Sequence, residues 1–331
     1  MQKQKQMRPP DRSPERTVAS HIVDLDFVKH LRRLWGRYWL LPFVPLAFLP
    51  VSAAFGQMRI EIVVVVLVLV ALGVASTQTR SFVLLAVPGI AVALGYEIVR
   101  YLRPLYLKPE RVLGCDLRAV ELAWFPAGNN LTWPDYFAIH NAPFWDAFFA
   151  IPYTVFWAVA VIWGAVLFFL DRPGMVRFLW TLAGVHAVAF VIWLVFPAAP
   201  PWYIQLHGCA IDIGAAPSPA ALARLDELFN IDYFADFYSR APTVFGALPS
   251  LHCSFPAAAL VASWRTSPAW QRALHAAYLA WMLAASVYLN HHWLLDGLTS
   301  VAIVFLLYAL IERLLPRSGR ASTRIETKEN A

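Results

Sequence analysis

Long apolar segments are the feature that most limits what this chain can fold into. A helix needs roughly 20 mainly apolar residues to cross the hydrocarbon core of a bilayer. Only 15% of the residues are charged and 59% are hydrophobic, a balance typical of membrane proteins rather than soluble domains. The sequence therefore predicts an all-α, polytopic membrane helical bundle of about eight spans. They are expected at residues 38–55, 60–76, 81–99, 147–170, 175–196, 249–264, 272–289 and 292–314.

The segments between and around the spans suggest how the chain is divided. Two loops, 100–146 and 197–248, are too long to be simple connections. A basic and apolar stretch at 21–38 is expected to form a helix on the membrane surface. The predicted parts are a cytoplasmic tail with that surface helix (1–37), two N-terminal spans (38–77), a six-span core (78–315) and a cytoplasmic tail (316–331).

Positive charge is distributed unevenly across the predicted bundle. Eight spans place both termini on one side, and the segments there carry 19 of the 27 Lys and Arg residues, against 8 on the other side. Because short cytoplasmic segments carry the positive excess, we expect a multi-pass cell-membrane protein with cytoplasmic termini and extracytoplasmic long loops. The positive residues lie at span ends and in tails, which does not fit a nucleic-acid partner.

The cysteines allow two interpretations. Cys115 and Cys209 fall one in each outer loop, in a compartment where disulfides can persist. A bridge between them is one hypothesis, and two unpaired thiols is the other. Cys253 lies at a span start and is expected to serve packing.

Ionisable residues inside spans are energetically costly, and here the exceptions cluster. His292 and Asp296 are four residues apart, so on one helix they share a face. A carboxylate there can accept the ring N–H, fix the tautomer and leave the other nitrogen free to attack. His252 follows Ser250, a plausible N-cap, and the predicted topology places it at the same outer face. The sequence thus predicts a reactive site built from two histidines and one aspartate.

Other residues are expected to reach the same face. Arg100 and Arg103 follow the third span, and the planar guanidinium suits phosphate oxygens. The proline-rich stretch that ends near Trp202 predicts a rigid, aromatic exit that lines a lipid headgroup site. The positive end of the last helix is also expected to favour an incoming phosphate.

Each feature also has an ordinary structural explanation. Histidine at a span end is often interfacial, and arginine there often only anchors the helix. Asp296 could form a polar contact between helices. Together His252, His292 and Asp296 could also bind zinc, since all three are common ligands. Tautomer control explains the His–Asp pair equally well, so we expect no metal and no cofactor.

At these residues the chain resembles the type 2 phosphatidate phosphatase superfamily. That superfamily carries a Pro-Ser-x-His motif and a later His-x-x-x-Asp motif, which correspond here to Pro249–His252 and His292–Asp296. The resemblance covers the six spans from about 81 to 314, which are then the catalytic core.

Two motif positions depart from the family pattern. Tyr96 stands where the first motif, Lys-x6-Arg-Pro, has its lysine, although Arg103 and Pro104 match. Ala285 and Ser286 stand where the third motif has Ser-Arg. Two phosphate-binding cations are therefore missing. The residues expected to substitute for them are Arg100, Asn290 and His291.

The chain looks like the inositol phosphorylceramide synthase branch of that superfamily. The segments that carry this resemblance are 199–202, 245–252, and Tyr288 with His291 and His292. The resemblance implies transfer of an inositol phosphate-like headgroup from a phospholipid to a lipid alcohol. In this reaction His292 forms a phosphohistidine, Asp296 orients its ring, and His252 is the acid and base. The expected phosphate and substrate contacts are Arg100, Arg103, Ser250, Asn290, His291, Tyr288 and Trp202.

Two other functions remain open at this point. A lipid phosphate phosphatase would use the same residues with water as the acceptor. A lipid transporter would instead use the buried histidine and aspartate as a proton relay.

Overall fold

Helices form almost all of the structure, a computed structural model that describes residues 26–56 and 58–315. In this part of the chain, the strands form a single two-stranded antiparallel sheet, β1 (Pro126–Gly128) with β2 (Leu131–Thr132). The chain divides into two compact units, residues 1–84 and 85–331. The all-α class is thereby confirmed.

The first unit begins with a broken helical segment. Helix α1 covers residues 26–35, and a 3-10 helix, Leu41–Ala47, leads into α2 (Phe48–Ala54). The axis bends by 86° at the break after Tyr38. Pro42 and Pro45 lie beyond the break and lack the N–H that a regular helix needs. The break lies at the start of the span predicted over 38–55, and Leu41–Ala54 within it is one helical segment. The first residues of the expected surface helix, 21–25, lie outside the described part.

Helix α3 (Ile60–Ala75) completes the first unit by packing on that broken segment. The indole N–H of Trp35 donates to the Gly73 carbonyl at 2.9 Å. A ring nitrogen of His30 lies 2.8 Å from the Val74 carbonyl. These bonds satisfy carbonyl groups that would otherwise be unpaired at the end of α3.

The second unit contains the longer helices. Helix α4 begins before the unit boundary and runs through it. In chain order the helices are α4 (Thr77–Tyr106), α5 (Cys115–Trp124), α6 (Trp133–Ile139), α7 (Pro143–Leu170), α8 (Arg172–Val195), α9 (Pro201–His207), α10 (Ala223–Phe229), α11 (Tyr233–Ser239), α12 (Leu251–Ser263), α13 (Ala269–Tyr288) and α14 (Leu294–Leu314).

Four helices of the described chain are long and apolar enough to cross a membrane: α4, α7, α8 and α14. The bent segment of the first unit makes a fifth if it is counted as one span. The chain is thus a multi-pass membrane protein, but length and composition support fewer than the eight predicted spans. Helix α12 shows the reason, since its 13 residues rise only about 20 Å, less than the roughly 30 Å hydrocarbon core.

Helix α12 is the centre of the second unit. It packs against α7, α8, α13 and α14, and all its residues except His252 are buried. Small side chains such as Ala257 and Ala258 allow this close approach. A helix enclosed by protein in this way does not need the length of a lipid-facing span.

Helix α4 is longer than predicted. It ends at Tyr106, so Arg100 and Arg103 belong to its last two turns and not to the loop. The loops that follow are themselves folded. The first contains α5, the small sheet and α6, and the second contains α9, α10 and α11.

Three loop segments of the second unit pair through their backbones. Leu113 pairs in parallel with Ala198, which in turn pairs with Gly246. The N–H of Ala199 donates to the Leu113 carbonyl at 2.8 Å, and the N–H of Ala247 donates to the Ala198 carbonyl at 3.2 Å. We call this arrangement the loop junction. It holds the chain that enters α9 beside the chain that enters α12.

A disulfide joins Cys115 and Cys209, which confirms the bridge hypothesis. Cys115 is the first residue of α5, and Cys209 follows α9. The bridge therefore ties the two long outer loops together across 94 residues of sequence. Cys253 is free and buried in α12.

We expect thiol counting to reveal this bridge directly. Unfolded, unreduced protein should take up one alkyl group, on Cys253, and reduced protein should take up three, because the chain has three cysteines. Intact mass measured before and after reduction checks the prediction. Three alkyl groups without reduction would contradict it, and a Cys253→Ala variant, expected to take up none before reduction, is the matched control.

Candidate active site

Two histidines from separate helices meet in the second unit. Nδ1 of His252, in the first turn of α12, lies 3.2 Å from Nε2 of His292, just before α14. The predicted meeting of the two imidazoles is thus confirmed. At this distance one ring can pass a proton to a group held by the other.

The tautomer of His292 is set by a backbone carbonyl. Its Nδ1 lies 2.9 Å from the carbonyl oxygen of Ala247, the residue that the loop junction holds. Because a carbonyl only accepts, Nδ1 carries the hydrogen and Nε2 presents a lone pair. The Nδ1–H of His252 then donates to that lone pair. His292 is therefore held in the form that a nucleophile requires.

Asp296 lies near His292 in a different arrangement from the one predicted. Helix α14 begins at Leu294, so His292 precedes it and the two residues do not share a helix face. Oδ2 of Asp296 accepts the N–H of Trp293 at 2.9 Å and lies 3.5 Å from Nδ1 of His292. The carboxylate is close enough to stabilise an imidazolium, while Ala247 makes the shorter bond to the ring.

Glu121 is a site residue that sequence analysis missed. Its carboxylate, on α5, is fully buried and accepts the N–H groups of Leu294 at 2.8 Å and Leu295 at 3.2 Å. Burial raises the pKa of Glu121, although the two amides oppose this shift. These amides were expected to favour a phosphate at the start of α14, and they are occupied instead. In the sequence, a lone glutamate in a loop resembles a solvated surface residue.

Tyr153 is a second residue that the sequence did not reveal. It lies within α7, and its hydroxyl oxygen is 3.0 Å from Nδ1 of His252. Its ring stacks on His252 at a centroid distance of 4.0 Å. The stack continues beyond Tyr153. The ring centroids of Tyr153 and His291 lie 5.0 Å apart, and those of His291 and Tyr238 lie 4.5 Å apart. An aromatic residue in an apolar span gives no sequence signal of such a role.

His291 is held as a neutral ring in this stack. Its Nε2–H donates to the Pro219 carbonyl at 3.1 Å. Burial lowers the pKa of His291 to about 3, and the neighbouring His292 adds to the shift. The ring is therefore uncharged across the physiological range, which makes it a poor substitute for a missing cation.

A cavity of about 160 Å³ opens beside the two catalytic candidates. Of the ten predicted site residues, four line it. These are His252, His292, His291 and Trp202.

Asp296 lies behind the cavity wall, and the remaining five residues do not line it either. Arg100 pairs with Glu97 at 3.3 Å and donates to the Arg240 carbonyl at 2.6 Å. Arg103 is half-buried on α4. Tyr288 donates its hydroxyl to Asp146 at 2.9 Å.

Ser250 and Asn290 act on the backbone near the site. Ser250 is the residue before α12, as predicted, but its side chain makes no capping hydrogen bond, so that part of the prediction is wrong. Its N–H instead donates to the Asp296 carbonyl at 3.0 Å. Asn290 adopts a positive φ of 61°, and its carbonyl accepts the N–H of Trp202 at 3.1 Å. Both residues thereby position the backbone segments whose side chains line the cavity.

Among the residues the structure describes, no group of three or more His, Cys, Asp or Glu side chains is arranged to hold a metal ion.

The fold and this site define a class of protein: a multi-pass membrane protein with a histidine pair at an open cavity. The family model of the PAP2 superfamily matches residues 121–310, which include Glu121 and both histidines. The chain belongs to the PAP2 superfamily, the type 2 phosphatidate phosphatase family that its motifs resemble.

Curated relatives have narrower names. The chain is 28% identical over 270 residues to a phosphoinositol dihydroceramide synthase of Bacteroides thetaiotaomicron, covering 80% of this chain and 88% of the relative. It is 28% identical to the inositol phosphorylceramide synthase catalytic subunit of Schizosaccharomyces pombe, over 45% of this chain and 36% of the relative. The Saccharomyces cerevisiae protein of that name is 32% identical to the chain, over 34% of this chain and 28% of the relative. No solved structure matches the chain significantly.

Replacing Glu121 should loosen the start of α14. In Glu121→Gln one acceptor oxygen remains for two amides, and the new NH₂ group opposes one of them. We expect the free energy of unfolding to fall by about 1–3 kcal/mol, the cost of a buried unpaired donor. Thermal unfolding in detergent measures the change. Glu110→Gln, at an exposed position, is the control, and equal stability of the two variants would contradict the assignment.

The neutral state of His291 predicts a pH dependence of stability. Because its pKa is about 3 in the folded protein and near 6.5 in the unfolded chain, the unfolded state binds more protons below pH 6.5. Stability contributed by the neutral ring is therefore lost as pH falls, by about 2 kcal/mol at about pH 5. His291→Gln can still donate to Pro219 but cannot titrate. The variant should lose less stability than wild type between about pH 7.5 and about pH 5 in thermal unfolding, and equal losses would contradict this account.

Proposed function

We propose that this chain is a membrane phosphotransferase that moves a phosphoinositol headgroup from a phospholipid to the hydroxyl of a ceramide-type lipid alcohol. The observation that carries the proposal is the lone pair on Nε2 of His292, which Ala247 holds toward His252 at the cavity. The activity in the name of the bacterial relative, which is matched over 88% of its length, supports the choice of headgroup and acceptor. The same relatives favour transfer over hydrolysis.

In the first step, Nε2 of His292 attacks phosphorus and the bond from phosphorus to the diacylglycerol oxygen breaks. His252, protonated, gives its proton to that leaving oxygen, so diacylglycerol departs as a neutral alcohol. The product on the enzyme is a phosphohistidine that carries the inositol group. His252 lies 3.2 Å from the attacking nitrogen, which supports its role as the acid.

In the second step, the hydroxyl of the lipid alcohol attacks the phosphohistidine. His252, now neutral, takes the hydroxyl proton while the bond from phosphorus to Nε2 breaks. Both histidines then return to their starting states. Asp296, 3.5 Å from Nδ1, stabilises the positive ring of the intermediate, since opposite charges attract strongly away from water.

Tyr153 is proposed as a positioning residue for His252. It contacts the ring by stacking and contacts Nδ1 through its hydroxyl. Nδ1 is also the nitrogen that faces His292. Holding the ring from two directions keeps this nitrogen toward the reacting group through both steps.

We further propose that the site faces the extracytoplasmic side and that both termini are cytoplasmic. The uneven distribution of Lys and Arg supports this orientation. The disulfide between the outer loops supports it as well, because disulfides persist in oxidising compartments.

Headgroup-labelled phosphatidylinositol incubated with ceramide and purified protein tests the function. Label should move to ceramide on thin-layer chromatography. His292→Ala should abolish this transfer, and His252→Ala should slow it by about 10²–10⁴-fold, the usual contribution of acid–base catalysis. His140→Ala replaces an exposed histidine outside the cavity and is the control that should keep wild-type activity.

Two results would overturn the proposal. Release of water-soluble inositol phosphate without labelled ceramide would identify a hydrolase. Lipid movement across vesicles that persists in His292→Ala, with no chemical turnover in wild type, would identify a transporter.

A further inference from the structure

The active-site cavity is uncharged apart from its histidines. Of the 18 described residues that line it, none is Lys, Arg, Asp or Glu. The titratable groups that face it are three histidines and three tyrosines: His252, His291, His292, Tyr96, Tyr153 and Tyr238. A phosphate that enters this cavity therefore meets little fixed positive charge.

The arginines on α4 do not supply the missing charge. Arg100 and Arg103 lie one and two turns beyond Tyr96 on the same helix. The Arg100 guanidinium forms an ion pair with Glu97 and a hydrogen bond to a backbone carbonyl. Neither arginine lines the cavity. Of these three α4 residues, the one at the cavity wall is Tyr96, a neutral phenol.

The histidines offer one positive charge during the reaction. His292 must be neutral at Nε2 to attack, and its Nδ1–H is used by Ala247. His291 donates to Pro219 and remains neutral through burial. The acid His252 is then the single protonated ring that the proposed mechanism places beside the phosphate.

Neutral donors are available at the wall. The indole N–H of Trp193 is buried and has no hydrogen-bond partner among the described residues. Trp193 and Gly246 both line the cavity, and a Cβ on Gly246 would lie 3.1 Å from Cε2, the carbon next to this nitrogen. Glycine therefore lets the indole ring pack closely against the backbone of the cavity wall, which keeps its unpartnered N–H beside the cavity.

We propose that this cavity selects phosphodiester lipids over phosphomonoester lipids, and that Tyr96 is a specificity-determining residue for that choice. The inference rests on the proposed function and specifies the donor it accepts. A diester carries one negative charge, which one protonated histidine balances. A monoester carries about 1.5 to 2 charges at neutral pH, and the excess charge would be buried without a partner. Trp193 holds a non-bridging oxygen without adding charge.

A comparison of phosphatidylinositol with phosphatidate tests this selectivity. The readout is diacylglycerol released in a single turnover, which reports donor choice and does not depend on the acceptor. We expect wild type to prefer phosphatidylinositol by about tenfold in kcat/KM at neutral pH, because only about a tenth of the monoester is then in its singly charged form. Equal use of both donors would overturn the selectivity alone, whereas no release from any phosphodiester would overturn the proposed function.

The pH dependence of this preference tests its electrostatic cause without a mutation. Below about pH 6 the monoester takes up a proton and becomes singly charged, while the diester does not change. The ionisations of the enzyme affect both donors and cancel in the ratio of kcat/KM values. The preference should therefore shrink by about tenfold between about pH 7.5 and about pH 5. A ratio that stays constant would overturn the charge-based explanation.

Variants at Tyr96 and Trp193 test which residue determines the preference for the phosphodiester donor. Tyr96→Lys should reduce the preference at least about tenfold, because it adds a cation for the second charge. Tyr96→Met is the uncharged control and should keep the wild-type ratio even if its rate falls. Trp193→Phe keeps a ring, loses the N–H, and should lower phosphatidylinositol turnover by about 3–10-fold. Equal ratios in Tyr96→Lys and Tyr96→Met would overturn the assignment of Tyr96.

Discussion

The backbone pairing at the loop junction is the constraint on which the site depends. Leu113, Ala198 and Gly246 come from segments far apart in the sequence, and loops alone do not maintain a register. Their hydrogen bonds place the Ala247 carbonyl where it accepts Nδ1–H of His292. That single acceptor decides which nitrogen carries the proton and therefore which one can attack. The chemistry of the imidazole thus follows from the position of a main-chain carbonyl.

Acidic groups in this protein organise the site from outside the cavity. Asp296 accepts the N–H of Trp293, and Glu121 accepts the next two amides at the start of α14. Both carboxylates are fully buried, so their charge is balanced by aligned N–H groups and the nearby imidazole. The helix start is thereby held rigidly beside His292. The cavity itself stays free of acidic side chains in the described chain, which suits an anionic substrate.

The structure gives a physical explanation for the departures from the family motifs. Tyr96, in place of the expected lysine, lies on the cavity wall, and Ala285 and Ser286, in place of Ser-Arg, are fully buried in α13. Losing two cations would weaken the binding of a phosphate with two negative charges more than that of a phosphate with one. An aromatic wall and a neutral indole N–H remain, so the same fold presents a site matched to a singly charged group.

The sequence by itself determined the all-α membrane class, the family, the histidine pair and the two outer-loop cysteines, because apolar length and short motifs are local properties of the chain. It did not determine the bend after Tyr38, the short enclosed α12, or the roles of Glu121, Tyr153 and Ala247. Nor did it show that Arg100 donates to the Arg240 carbonyl and Tyr288 to Asp146. Those features were decided by the tertiary structure, since a buried carboxylate, ring or carbonyl acts through partners that lie tens of residues or more away along the chain and leave no periodic signal in the sequence.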